Sequence, residues 1–439
     1  MKNLIATFAG MLLACLCFAA SPDDAPREYK TGWSFGAMPC ATYATDMGFQ
    51  YGAFGDFYYY GDGKTYPDPL HKISWEASHY TKGRSRFYIG YDSKYLVPNL
   101  RVTGSATYMT DPLYYFYGFN GLANPYDAGY SEEGGYFMKR NMLRLLADVQ
   151  GKITPSLRWA GGISYWNFDI GDINTQKYSK YASVTTLYQN YLATGLIRDV
   201  EANGGGRLEV KGGLVYDTRD IEAAPNRGIW SEIYLNGSPD LFGDGFGYVK
   251  LCAHFRQYIS LPFDFIKAGR PVFAYHLAYQ GTILGEAPFY MQQNITTLVL
   301  KQMISEGFGS YNTVRGTNTN RILADGYAWG NFELRVKLLN FKLFGQYFYL
   351  ATNPFFDCGM VVQPYRAEDM SAVFPLISGG SSMTAAEIGS KAGEFISTAG
   401  IGLKLAWNQN FIISAEVAHC MTENLGDPLW ISIGTNYLF

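Results

Sequence analysis

The sequence predicts an all-β protein, a sixteen-stranded antiparallel transmembrane β-barrel with long connections at one end. Strand-length segments set apolar residues on one parity against charged or polar residues on the other. After the first twenty residues, no apolar run is long enough for a spanning helix, so a membrane protein of this composition must cross with strands. Aromatic residues make up 17% of the chain, led by 36 Tyr and 29 Phe, which suits girdles at the two membrane interfaces. An aromatic-rich soluble sandwich is the competing reading. It fails because a sandwich keeps its inner face dry, whereas here one face is uniformly greasy and the other charged.

Residues 1–20 carry Lys2 and then an apolar run from Leu4 to Ala20 that ends in small residues, the pattern of a secretory signal peptide. A lipoprotein box at Leu12-Leu13-Ala14-Cys15 competes, but the run stays apolar through Leu16-Cys17-Phe18. Residues 21–31 then form a short N-terminal segment and 32–439 one barrel domain, with no repeat, low-complexity tract or linker to divide it. Four cysteines remain, Cys40, Cys252, Cys358 and Cys420, too isolated to bind metal or to specify a disulfide. The net charge of -3, from 35 Lys plus Arg and 38 Asp plus Glu, offers nucleic acid no basic surface.

The segments fall at 32–39, 47–60, 70–81, 84–94, 99–112, 132–150, 153–168, 206–218, 227–238, 244–261, 270–283, 325–339, 341–363, 394–407, 409–422 and 429–439. The tenth shows the pattern clearly: Val249, Leu251, Ala253, Phe255 and Ile259 oppose Lys250, Cys252, His254, Arg256 and Ser260. An even count places both termini in the periplasm. Connections after even-numbered strands are short, such as Gly151-Lys152, Asn340 and Asn408, while 113–131, 169–205, 284–324 and 364–393 are long, the asymmetry of outer-membrane barrels. The first strand, Gly32 to Met38, is short, carries Gly32 and Gly36 and meets Pro39, so its pairing with the last strand should be weak.

Val314-Arg315-Gly316 lies in the connection 284–324, which by its length is either disordered or folded back as a plug. An arginine there is either an exposed loop residue or, inside a lumen, in need of a carboxylate. Glu333 and Asp357, the latter in Phe355-Phe356-Asp357-Cys358-Gly359, are the candidates. Strict alternation puts Asp357 on the parity of Tyr347 and Tyr349. If those face lipid, a bulge near Asn353-Pro354 must turn Asp357 inward. Tyr216-Asp217-Thr218-Arg219-Asp220 with Pro225 and Gly228 reads as a structural turn. Leu429, Ile431, Ile433, Tyr437 and Phe439 share one parity of the last strand.

These motifs resemble the BamA/TamA surface-antigen superfamily of outer-membrane assembly and secretion barrels, over about Trp33 to Phe439. The resemblance implies that the Val314-Arg315-Gly316 loop folds into the lumen and that Arg315 pairs with Glu333 and Asp357. It implies a periplasmic turn built on Asp217, Arg219, Asp220, Pro225 and Gly228. It further implies a C-terminal signal, Ser432, Gly434, Tyr437 and Phe439, read by the barrel-assembly machinery. Thr317 stands where the family usually has Tyr or Phe. The first strand begins too soon after the signal to leave room for the family's polypeptide-transport-associated (POTRA) domains, so client handover would use a separate periplasmic or lipoprotein partner.

The expected protein is therefore a Gram-negative outer-membrane barrel in contact with lipid, assisting protein or lipid assembly or export through a lateral seam. The alternative is a passive channel or structural barrel, and a short glycine-bearing first strand is compatible with both. No G-x-S-x-G, H-E-x-x-H or P-loop occurs, and His71, His79, His254, His276 and His419 are scattered, so no enzyme, catalytic residue, metal or cofactor is expected.

Overall fold

The computed structural model describes residues 30–439 except 45–47, 67, 223, 242, 264–268, 298–306, 310–312, 344–345, 408–410, 427 and 436–438. The expected signal peptide, residues 1–20, lies outside the described residues, as do 21–29.

Hydrocarbon offers a peptide N–H no partner, so strands that cross it must spend their donors on one another and close. They do so here. In chain order the strands are β1 (Trp33–Ala44), β2 (Gly48–Tyr59), β3 (His71–Tyr80), β4 (Ser85–Val97), β5 (Leu100–Thr110), β6 (Tyr114–Tyr115), β7 (Phe137–Lys152) and β8 (Leu157–Gly171). They continue as β9 (Gly204–Asp217), β10 (Gly228–Ser238), β11 (Tyr248–Ser260), β12 (Val272–Gly285), β13 (Gly326–Leu343), β14 (Gln346–Gln363), β15 (Ile396–Trp407), β16 (Phe411–Cys420) and β17 (Leu429–Thr435). Each pairs antiparallel with its neighbours, β5 pairs with β7, and β1 meets β17. The two-residue β6 only edges the start of β7, so the closed wall has sixteen strands, as expected, with one extra ribbon.

The wall is inverted relative to a soluble protein. On β10, Ile233 and Leu235 are about half exposed while Glu232, Tyr234 and Asn236 are buried. On β15 and β16, Ile401, Leu403 and Val417 face out, while Lys404 and Glu416 are buried. Apolar side chains lose nothing against lipid, so the outer parity can stay exposed, and buried charges inside must find one another.

Four expectations need correction. The first strand is not short: β1 runs through Pro39 to Ala44 and pairs with β2 along its whole length. Proline is tolerated on an edge, and among the described residues β1 pairs on its other side only at Tyr43 and Ala44. Gly151-Lys152 and Asn340 lie inside β7 and β13, so the turns fall later, and Asn408 lies outside the described residues. No bulge is needed at Asn353-Pro354, where the β13–β14 register is continuous. Tyr349, Ala351, Asn353, Phe355 and Asp357 all sit on the buried parity, so the tyrosine faces inward with the aspartate. Finally, residues 128–132, where the segment 132–150 was expected to begin, form a short helix ahead of β7.

The aromatic excess is not all girdle. The long connections 111–136, 172–203, 286–325 and 364–395 build their own core over one end of the barrel, with Phe116, Phe119, Tyr191, Phe289 and Tyr365 buried together. Polar ties cross between these connections. Arg366 pairs with Glu201 and with Glu286, and Asn120 bonds both the N–H and the carbonyl of Tyr365. The Arg321 guanidinium donates to the carbonyls of Gly121, Asn124, Asn424 and Leu425.

At the opposite end, Gly228 opens β10 at φ +111°, and a Cβ there would lie 2.4 Å from the Thr218 carbonyl oxygen. Gly228→Ala should therefore cost about 1–3 kcal/mol of barrel stability, read as a lower folded fraction in unheated gel-mobility assays after refolding into detergent.

Candidate functional site at the lumenal ion cluster and the seam

Arg315 is fully buried, which is tolerable for a guanidinium only when its donors are met. Its Nε and Nη2 donate to the two carboxylate oxygens of Asp357 at 2.7 and 2.8 Å, and its backbone N–H adds a third bond at 3.0 Å. Nη1 donates to Glu333 at 2.5 Å and to Glu416 at 3.3 Å. The guanidinium lies 3.6 Å from the centre of the Phe355 ring. Thus the three residues that the sequence singled out meet, with the bidentate geometry that makes Arg–carboxylate pairs strong.

Sequence reasoning missed the rest of the cluster. Glu416 on β16 also accepts from Lys404 on β15 at 2.6 Å, Glu333 accepts from Arg335 at 2.9 Å, and Asn353 donates to both glutamates. Arg315, Lys404 and Arg335 balance Glu333, Asp357 and Glu416, so the cluster is formally neutral. Parity alone placed Lys404 on the charged face, but which inward residues share one height depends on register.

The connection carrying Arg315 is shaped to reach the wall. Val314 packs among Phe308, Tyr327 and Trp329. Gly316 has φ +92°, and a Cβ there would stand 3.0 Å from that of Ala418. The Thr317 hydroxyl donates back to the Val314 carbonyl at 2.8 Å, so a hydrogen bond closes the turn where the family usually has an aromatic.

The turn that the resemblance places at the periplasmic rim is built as its residue types suggest. Arg219 binds Asp217 through Nε and Nη2 at 3.0 and 2.8 Å and stacks 4.0 Å from the centre of Trp230. Asp220 accepts from the N–H groups of Ile221, Asn226 and Arg227. Partial burial works against its ionisation, but these donors and the Asn226 side chain hold its carboxyl below the usual carboxylate range. Pro225 is buried in the turn.

The seam is unequal. β1 has twelve register pairs with β2, whereas among the described residues only Tyr43↔Ile433 and Ala44↔Ser432 join it to β17. Trp33 and Phe35, farther along β1, are 64% and 57% exposed. Ser432 is buried opposite Glu416, and Gly434 pairs with Ser414. Tyr437 lies outside the described residues. Phe439 departs from the shared parity of Leu429, Ile431 and Ile433. Its ring lies inside, 5.6 Å from His276 and 6.3 Å from Tyr258, and its main-chain oxygen accepts from Arg335 at 2.7 Å. The isolated cysteines are all free, and no cluster able to hold a metal occurs among the described residues.

Sixteen closed strands with a greasy exterior and a charged interior define an outer-membrane β-barrel. Residues 71–419 match the Omp85 superfamily domain, and the chain belongs to that superfamily. Its fold is similar to that of BamA from Haemophilus ducreyi lacking POTRA domains 1–3, with TM-score 0.57 and 14% identity over 93% of this chain and 70% of that one. It is also similar to CdiB from Escherichia coli, with TM-score 0.56 and 11% identity over 94% of this chain and 66% of that one. This chain therefore spans about two thirds of those relatives' length. No curated protein matches it.

Arg315→Ala leaves Asp357 buried without a cation and should cost about 3–5 kcal/mol, with Arg315→Lys intermediate because an ammonium cannot fill the fork. Urea unfolding midpoints in detergent check both. Asp220 should contribute above about pH 4 and lose its effect as acid protonates it. Asp220→Asn should thus lower the refolded fraction at neutral pH but match the parent chain well below pH 3, measured by the same gel-mobility assay.

Proposed function

We propose that this barrel assists the assembly or export of outer-membrane proteins or lipids through the β1–β17 seam. The observation that carries this reading is the contrast between twelve register pairs on one edge of β1 and two on the other among the described residues. Each N–H or C=O left unpaired in hydrocarbon costs several kcal/mol. A barrel whose closure uses few ladder bonds therefore opens there at the lowest cost, and the edge it exposes can template an incoming strand. Trp33 and Phe35 lie exposed on β1 beyond those two pairs.

In this reading the work is mechanical: the seam exchanges one set of strand contacts for another, with no bond chemistry. The ion cluster holds β13 to β16 rigid while the seam moves, and a separate periplasmic or lipoprotein partner delivers clients. The barrel-assembly machinery itself inserts the chain by reading its last strand. The superfamily's insertases and translocators supply the precedent, as does the similarity in fold to BamA and CdiB.

Photo-crosslinking from Phe35 in living cells should trap nascent barrel proteins or secreted chains. A disulfide tether in Tyr43→Cys/Ile433→Cys, a pair in register across the seam, should abolish that capture until reduced. Trapping of lipid alone or of the chain's own last strand, together with steady conductance in planar bilayers, would instead establish the passive-channel reading.

A further inference from the structure

Two histidines that the ion cluster does not use meet on the inner wall. His254 on β11 and His276 on β12 are both buried, and His254 Nδ1 lies 3.0 Å from His276 Nε2. Their ring planes are within 16° and their centroids 5.3 Å apart, an arrangement of rings joined edge to edge rather than stacked face to face. The other nitrogen of His254, Nε2, lies 2.8 Å from the Thr296 carbonyl oxygen. The other nitrogen of His276, Nδ1, lies 3.1 Å from Oδ1 of Asn331. That amide cannot be turned over, because its Nδ2 donates to the Thr313 carbonyl at 2.5 Å.

Both outer contacts are thus to oxygens that only accept, so both outer nitrogens must carry a proton. A neutral imidazole has a single N–H. If each ring directs its own outward, two bare lone pairs face each other at 3.0 Å. A third proton between the rings completes the chain of hydrogen bonds from Thr296 to Thr313. We infer that His254 and His276 form a proton-binding site, a dyad of net charge +1 sharing one proton, that clasps the 286–325 connection to the barrel wall at two points.

Arg256 stands in register opposite His276, and its charge opposes a proton on the dyad, offset in part by the Glu232 carboxylate that it binds. Glu232 on β10 is taken by Arg256 on β11, Glu333 on β13 by Arg315 and Arg335, and Asp357 on β14 by Arg315. The Arg335 guanidinium also binds the main-chain oxygen of Phe439. Trp329 lies edge-to-face with both imidazoles at 5.7 and 6.0 Å.

Proton counting sets the sign of the pH response. The clasped dyad holds three protons. With the connection released, each ring titrates as an ordinary histidine near about pH 6.5, so the pair holds two protons well above that pH and four well below it. At high pH the clasped state binds more protons than the released state, and raising the pH loosens it. At low pH it binds fewer, and acidification loosens it too. The connection is most firmly seated between these limits. This depends on the loop lying against the wall and not on any activity at the seam, so the two proposals fail separately.

Hydrogen exchange read by mass spectrometry, on the full chain in nanodiscs at about pH 5, 6.5 and 8 and corrected for intrinsic chemistry, tests the inference. Amides of 313–325 should exchange roughly tenfold more slowly at the middle pH than at either side, and His254→Gln or His276→Gln should remove that maximum. Protection that rises steadily with pH, or does not change with it, overturns the inference. Should those variants fail to fold, nitrogen spectra of histidine-labelled chain carrying His71→Gln, His79→Gln and His419→Gln decide. One imidazolium shared by two rings near neutral pH is expected, and two neutral rings would overturn the dyad.

Discussion

A peptide N–H in hydrocarbon has nowhere to turn but another strand, and the rest of this structure is organised by that requirement. It forces the sheet to close and makes β1 and β17 neighbours despite lying at opposite ends of the sequence, joined among the described residues by Tyr43↔Ile433 and Ala44↔Ser432. Other adjacent strands share long ladders, as β7 and β8 do from Lys139↔Gly171 to Lys152↔Arg158.

The interior obeys a different constraint. Once the outer parity is given to lipid, many charged side chains on the inner parity are drawn into partnerships within a limited volume. The Arg315 cluster answers this by drawing one cation from the connection and two from the wall against three carboxylates on β13, β14 and β16. Desolvating so many charges is expensive, and only well-directed hydrogen bonds offset it. The result ties together β13, β14, β15 and β16, the strands that lead up to β17.

Over the other end, the long connections share one aromatic core. Each contributes a few rings, and arginines such as Arg321 and Arg366 tie them through carbonyls and carboxylates of several loops at once. The same polar logic recurs in the wall at His254 and His276, where two oxygen acceptors dictate where protons sit.

The barrel, its strand count and the sidedness of its connections were legible in the sequence, because a two-residue period and the length of turns are local properties. Arg315, Glu333 and Asp357 stood out through motif resemblance and parity, and Asp217, Arg219 and Asp220 through turn chemistry. The inward course of Tyr349 with Asp357, the extension of β1 through Pro39, and the inward position of Phe439 were not legible. Nor were the meetings of Glu416 with Arg315 and of His254 with His276. Each of these depends on register and closure, which fix which residues of separate strands stand at one height, and that is decided only when the whole sheet has formed.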